Sequence, residues 1–252
     1  MNTNIGDFFI ISNAVHNIAD EDYEKLGLLV NAAKAFARST NQGVYIIDYF
    51  RMNFLYVSEN LANWCGIPSD KIKDFGYQIY IDHVPEDEQR MLVEINKSGF
   101  NLFEQIPIEE RLDYTITYDF HFTQGRKRQL VNHHLTPMVL TKDGRIWLAL
   151  CTVEMSARNV PGHIVVRKSN SNMYYEYSLE KHKWLVKENV KLSETERDIL
   201  VLSAQGYTMN DISDRLCKSI DTIKACKRAL FAKLEVRNIA EALSYATNYK
   251  LI

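Results

Sequence analysis

The stretch Ser219-Ile220-Asp221-Thr222-Ile223-Lys224-Ala225-Cys226-Lys227-Arg228-Ala229-Leu230-Phe231-Ala232-Lys233-Leu234 decides how the carboxyl-terminal part of this chain folds. Ser219 opens a helix, because a serine oxygen at a helix start accepts an orphan backbone N–H. On a 3.6-residue wheel Ile220, Ile223, Leu230 and Leu234 share one face, and Asp221, Lys224, Ala225, Arg228 and Ala232 fall opposite. The spacing therefore predicts a helix docked by its apolar side, showing cations and small residues to the outside. A helix ~10–12 Å across suits the ~12 Å major groove of DNA. Alanines permit close approach to base edges, and Arg228 has the fork geometry for a bidentate pair with guanine. Ser219 and Thr222 would offer hydroxyls and N–H groups to a phosphate.

Working outward, the same punctuation recurs. Ser193 with Glu196 is a capping box, in which serine and glutamate each satisfy the other's exposed N–H. Its helix runs through Ile199, Leu200 and Leu202 to Gly206. Thr208 with Asp211 opens a second helix holding Ile212 and Leu216, and Asn238 with Glu241 opens a last one with Ala242, Leu243 and Ala246 on one side. Residues 189–252 thus form a small four-helix, all-α domain. It is net positive although the chain as a whole is formally −2, and six of its cations lie between Leu216 and Arg237. An overall basic coat is excluded; a local basic patch is not.

Leu192-Ser193-x-x-Glu196-x-x-Ile199-Leu200, Gly206, Ile212, Leu216-x-x-Ser219-x-x-Thr222-Ile223-Lys224 and Lys233-Leu234-x-Val236-x-Asn238 together resemble the LuxR-type helix-turn-helix. The resemblance covers about a quarter of the chain. It implies a transcription regulator whose second motif helix reads the major groove and whose domains pair on DNA, largely through the last helix, Asn238–Thr247. Double-stranded DNA and a second copy are then the expected partners, with RNA polymerase a further candidate. Ser219, Thr222, Lys224, Ala225, Lys227, Arg228, Arg237 and Asn238 are the candidate DNA-binding residues. For Lys227, Arg237 and Asn238, phosphate contact and plain exposure are both open. Three positions depart from the family pattern: Lys218 and Lys227 stand where apolar residues are usual, and Cys226 where histidine is frequent.

The amino-terminal part reads differently. Residues 1–42 read as a helical segment, with Asp20-Glu21-Asp22 at a helix start and Leu26, Leu29, Val30, Ala33, Phe36 and Ala37 at helical spacing. Val44–Phe50 and Phe54–Val57 are β-rich runs. Short helical pieces follow, and Pro85-Glu86-Asp87-Glu88 opens a longer helix expected to end near Lys97, before Gly99. From Tyr114, alternation of Tyr114, Ile116, Tyr118, Phe120 and Phe122 with polar residues predicts a strand. Gln124-Gly125 turns it into Gln129–Leu140, and Asp143-Gly144 turns that into Ile146–Val153. Residues 43–158 are expected to hold a five-stranded antiparallel sheet, and residues 159–188 connecting strands or a hairpin. This order of two strands, small helices, a longer helix and three meandering strands resembles a PAS domain, which implies a sensing or dimerising module. The Tyr114–Phe122 stripe lines a pocket for a haem, flavin or small metabolite, or is simply core.

The whole is expected to be an α+β protein: a PAS-like sheet domain followed by the four-helix domain. Apolar residues at 46% and charged residues at 25% exclude disorder. No run approaches the ~20 apolar residues of a membrane helix, and Met1-Asn2-Thr3-Asn4 lacks the basic start of a secretory signal, so a cytoplasmic setting is expected. Cys65, Cys151, Cys217 and Cys226 form no C-x-x-C, and the last two read as packed thiols rather than redox sensors. His133 and His134, adjacent on a strand, point to opposite faces and cannot chelate together, although His121 on the neighbouring strand could join one of them. No serine elbow, phosphate-binding glycine loop, H-E-x-x-H or phosphorylatable receiver pattern is present. The expectation is a non-enzymatic regulator with no assigned metal or cofactor, a small-molecule effector of the sheet domain being open. The alternative is an interaction and oligomerisation module without DNA binding.

Overall fold

The computed structural model describes residues 3–248, 251 and 252; Met1 and Asn2 of the amino-terminal stretch, and Tyr249 and Lys250, lie outside the described residues. The chain divides into two units, Met1–Lys187 and Glu188–Ile252.

In the first unit, residues 4–19 were expected to be helical and are not. They form two short 3-10 turns, Ile5–Phe8 and Ile11–Asn13, within an otherwise irregular strap. Tertiary contacts outweigh helix propensity here. The Phe8 ring stacks on Tyr80 at 5.7 Å, and Asn13 exchanges two hydrogen bonds with the main chain of Ile146. Regular helix begins at α1 (Asp20–Glu24) and α2 (Gly27–Ser39), the latter burying Ala33 and Ala37. Phe36, expected on the buried side, is 40% exposed.

The strands β1 (Gly43–Asp48) and β2 (Asn53–Val57) lead to α3 (Glu59–Cys65), α4 (Ser69–Phe75), α5 (Gln78–His83) and the long α6 (Glu86–Glu104). The last runs beyond the expected stop, straight through Gly99. A Cβ there would lie 3.2 Å from Ile116 Cδ1, so this glycine permits close packing on the sheet rather than ending the helix. Three long strands follow: β3 (Tyr114–Gln124), β4 (Lys127–Leu140) and β5 (Ile146–Met155).

The sheet has eight strands, not five. Residues 159–188 do not merely connect; they form β6 (Gly162–Lys168), β7 (Met173–Ser178) and β8 (Lys183–Glu188), giving the antiparallel order β2-β1-β5-β4-β3-β6-β7-β8. β6 pairs with the edge of β3 that β4 leaves open, Thr115 opposite Arg167 and Thr117 opposite Val165. The physical reason lies in Ile164, Val165 and Val166, all buried. A run buried on both faces is an interior strand, which an exposed connector cannot be. The protein is α+β, and among the described residues no helix is long and apolar enough to cross a membrane.

Candidate nucleic-acid interface and an aromatic pocket

The second unit holds α7 (Glu194–Ala204), α8 (Met209–Arg215), α9 (Ile220–Leu234) and α10 (Ile239–Asn248). Side-chain caps set their starts. Ser193 and Glu196 complete their capping box, as do Thr208 and Asp211. Burial raises the Glu196 pKa, but hydrogen bonds from Lys233 and Ser193 outweigh it and hold the carboxyl below its ordinary value. Hydrogen bonding by Thr208 likewise lowers Asp211.

Two apolar clusters fix the rotation of α9. Ile223 joins Ile199 and Ile212 in one, while Leu230 and Leu234 join Leu200, Ala242 and Ala246 in the other. With anchors at both ends of the helix, its remaining face must look outward. Ile220, expected among the buried residues, sits on the first turn beyond the nearer cluster and is 39% exposed. The tie from Lys233 Nζ to Glu196 Oε2, 2.7 Å, holds α9 to the start of α7.

The turn between α8 and α9 depends on a residue that the sequence reading missed. Ser213 is buried, and its hydroxyl donates to the Lys218 carbonyl at 2.5 Å while the Lys218 N–H donates to the Ser213 carbonyl at 3.0 Å. Cys217, between them, adopts φ +49° and is exposed rather than packed. No sequence signal marked Ser213, because the turn becomes visible only in the fold.

Of the eight candidate residues, Ser219, Thr222, Lys224, Ala225, Arg228, Arg237 and Asn238 are exposed and Lys227 is half-buried. Lys224, Ala225 and Arg228 share the outward face of α9. Lys224 lies 3.6 Å from Asp221, a loose surface pair, and among the described residues no carboxylate lies within ion-pair distance of Lys227, Arg228 or Arg237. Ser219 accepts the Thr222 N–H and pairs with its hydroxyl at 2.8 Å. Asn238 is committed differently: its carbonyl accepts the Glu241 N–H and its amide donates to the Glu241 carboxylate, so it caps α10.

The first unit contains a cavity of about 480 Å³ beneath α3–α5. Tyr45, Phe54, Trp64, Tyr80, Phe120 and Phe122 form much of its wall, with Lys127 and Arg128 on the lining as well. Thus part of the aromatic stripe borders this space, while Tyr114, Ile116 and Tyr118 border a smaller one of about 50 Å³ on the α6 side. Tyr45 joins the Tyr80 hydroxyl at 2.5 Å and His133 Nε2 at 2.6 Å. Burial pushes both tyrosines up and, with His134 adding, brings His133 down to about 3. His134, on the other face of β4, lies beside Glu154, and His121 bonds to the buried Glu88 carboxylate.

Residues 190–246 match the family model described as bacterial regulatory proteins, luxR family. The oxygen regulatory protein NreC of Staphylococcus haemolyticus is 38% identical over 61 residues, 24% of this chain and 28% of that protein. The transcriptional activator protein BglJ of Escherichia coli is 37% identical over 65 residues, 26% and 29% of the two chains. The chain therefore spans less than a third of the length of these curated relatives. Among solved structures, the phage VqmA–DPO complex is similar with 14% identity and a TM-score of 0.32, covering 94% of this chain and 93% of that one. The second unit carries a LuxR-type helix-turn-helix domain.

Proposed function

We propose that the protein is a DNA-binding transcriptional regulator that acts as a homodimer, with α9 reading the major groove and the sheet unit acting as a PAS-like sensor. The observation that carries this reading is the outward face of α9. Lys224, Ala225 and Arg228 are exposed while both ends of the same helix are anchored in apolar clusters. Arg228 reads a base, Lys224 and Lys227 contact the groove and its phosphates, and Ser219 and Thr222 seat the helix start on a phosphate. Arg237 adds a phosphate contact. Asn238, which is exposed and also caps α10, adds another.

The aromatic cavity supports the sensor assignment, since an apolar space of this size with a few polar groups fits a small molecule. A bound molecule changes DNA affinity only by preferring one arrangement of the dimer over another. RNA polymerase is a proposed partner of the DNA-bound form.

Fluorescence anisotropy on genomic fragments selected by the full chain tests the reading. A regulator that neutralises several phosphates loses about 10³–10⁵ in affinity between 50 and 200 mM salt. Affinity that ignores salt, or no duplex affinity at all, would leave the interaction-module alternative standing. Native mass spectrometry of the purified protein tests the sensor half: a co-purifying molecule lost on Phe120→Trp is the expected result.

A further inference from the structure

The pocket beneath α3–α5 has an apolar interior and a charged rim. Phe54, Trp64, Phe120 and Phe122 supply its ring faces. Lys127 and Arg128, at the start of β4, are both exposed and line it where it meets solvent. Among the described residues that line it, none is an aspartate or a glutamate. Arg128 gives one guanidinium nitrogen to the buried Glu88 carboxylate at 2.6 Å. Lys127 has no carboxylate within ion-pair distance among the described residues. A cation left without a counter-charge at the rim of a ring-lined space selects an anion with an apolar body.

A second polar group in the wall asks for an acceptor. His133 is neutral, because burial brings its pKa down to about 3, and its ring therefore carries one proton. Its Nδ1 has no partner among the described residues, whereas Nε2 lies 2.6 Å from the Tyr45 hydroxyl. A buried N–H without an acceptor is the rarer and costlier arrangement, which puts the proton on Nε2, donated to the Tyr45 oxygen. The two tyrosine hydroxyls, 2.5 Å apart, need one proton between them. Tyr45, already accepting from the imidazole, passes its own to Tyr80. The relay ends on the Tyr80 O–H, which lines the pocket and has no acceptor of its own among the described residues.

We infer that the pocket takes an aromatic carboxylic acid, with its rings among Phe54, Phe120 and Phe122, its carboxylate at Lys127 and an ether or carbonyl oxygen accepting from Tyr80. This assignment rests on the sensor reading above and names the chemistry of what is sensed. At about 480 Å³ the space accommodates a two-ring body. Ring faces in the wall favour a flat, aromatic one. A neutral ligand of the same shape leaves Lys127 unpaired, and a cationic one is repelled by it.

Isothermal titration calorimetry of the full chain, with duplex affinity measured in parallel, is the test. Three probes of one shape are compared: 6-methoxy-2-naphthylacetate, its primary amide, and 2-naphthylacetate, which lacks the methoxy oxygen. The methoxy acid should bind about tenfold tighter than the amide, and Lys127→Gln should erase that difference by weakening the acid alone. Tyr80→Phe should weaken the methoxy acid about fivefold and leave 2-naphthylacetate unchanged, a split that general damage to the pocket would not produce. An amide that binds as tightly as the acid overturns the inference while the sensor reading stands. Lys127→Gln weakening acid and amide equally, or Tyr80→Phe weakening both acids equally, does the same. No binding of any probe at 1 mM also overturns it, and the co-purification result then decides the sensor reading. Binding as expected, with duplex affinity unchanged at saturating acid, supports the inference and sinks the sensor reading instead.

Discussion

His133 makes the stability of the sheet unit depend on acid in a way that can be worked out from the structure. The imidazole is 1% exposed, among the rings of Tyr45, Tyr118 and Phe120, and burial holds its pKa down to about 3 from 6.5. The unfolded chain therefore takes up a proton near pH 6.5 that the folded chain refuses until about pH 3. Acid favours the state that binds more protons, so stability is full above pH 6.5 and falls as the pH is lowered between these values. By linkage this one group costs about 2 kcal/mol between pH 7.5 and 5. Replacing it by phenylalanine removes the titration; the Tyr45 hydroxyl keeps Tyr80 as its partner. Urea unfolding followed by tryptophan fluorescence is the assay, because Trp64, Trp147 and Trp184, all three tryptophans of the chain, belong to the first unit. The difference in stability between wild type and His133→Phe should shift by about 2 kcal/mol in favour of the variant on going from pH 7.5 to 5. Groups titrating equally in both proteins, such as Asp119, whose pKa burial raises, cancel in that difference. Parallel stability curves for the two proteins would show that the imidazole is already protonated or solvated in the folded state, and the reasoning would fail.

Arg228→Ala should cost about 1–3 kcal/mol of binding to a selected operator and relax preference at one base position, whereas Lys227→Ala should weaken all sequences alike and reduce the salt slope by about 1; anisotropy titrations at four salt concentrations distinguish the two. Asn238→Ala should lower the melting temperature of the second unit, at a cost of about 0.5–2 kcal/mol, because its side chain caps α10. Ser213→Ala should cost about 1 kcal/mol by opening the turn, and Ser213→Thr should not repair it if the clasp needs the unbranched hydroxyl; calorimetry reads both. Glu196 and Asp211 have lowered folded-state pKa values, so their stabilisation is present above the unfolded carboxylate range and is lost as the pH falls through the lower folded values. Thermal melts of Glu196→Gln should accordingly lie closer to wild type in acid than at neutral pH.

The second unit was legible in the sequence because its signals are local. A serine or threonine and an acid three residues on define a helix start wherever they occur, and Ile223, Leu230 and Leu234 return at helical spacing. Ser213 was not legible, since its partner is a carbonyl five residues away across a turn whose geometry no periodicity encodes. In the first unit, β3–β5 could be read from alternation and Asp-Gly turns. The eight-strand sheet could not be assembled, because the pairing of β6 with β3 joins residues about fifty apart in the chain. Its one sequence signature, the unbroken Ile164-Val165-Val166, also fits a buried connector. The strap of residues 4–19 misled for the opposite reason. Its apolar residues imitate helical spacing, while Phe8 and Asn13 are in fact matched to Tyr80 and Ile146 far along the chain. The cavity is the least legible feature: an aromatic stripe that encloses space and one that fills it have the same pattern.

The first strand has one face on the cavity and the other turned to α1. Tyr45 points to the cavity, bonded to Tyr80 of α5, while Asp48, three residues on and therefore on the other face, accepts the hydroxyl of Tyr23 in α1. Val44 and Ile46, both fully buried, share the Asp48 face of the strand. A molecule filling the cavity thus presses on one face of a six-residue strand whose other face carries Asp48, bonded to Tyr23. Tight packing lets such a strand shift only as a body, so any displacement that improves contacts on one side is felt on the other. Proximity alone does not couple the cavity to dimerisation, because coupling is a difference in affinity and must be reciprocal. Whatever carries it, the factor by which a cavity ligand changes the dimer dissociation constant must equal the factor by which dimerisation changes the ligand's affinity. If β1 carries it, shortening Ile46 to valine, which loosens the packing behind the strand without touching the cavity wall, should bring both factors toward one.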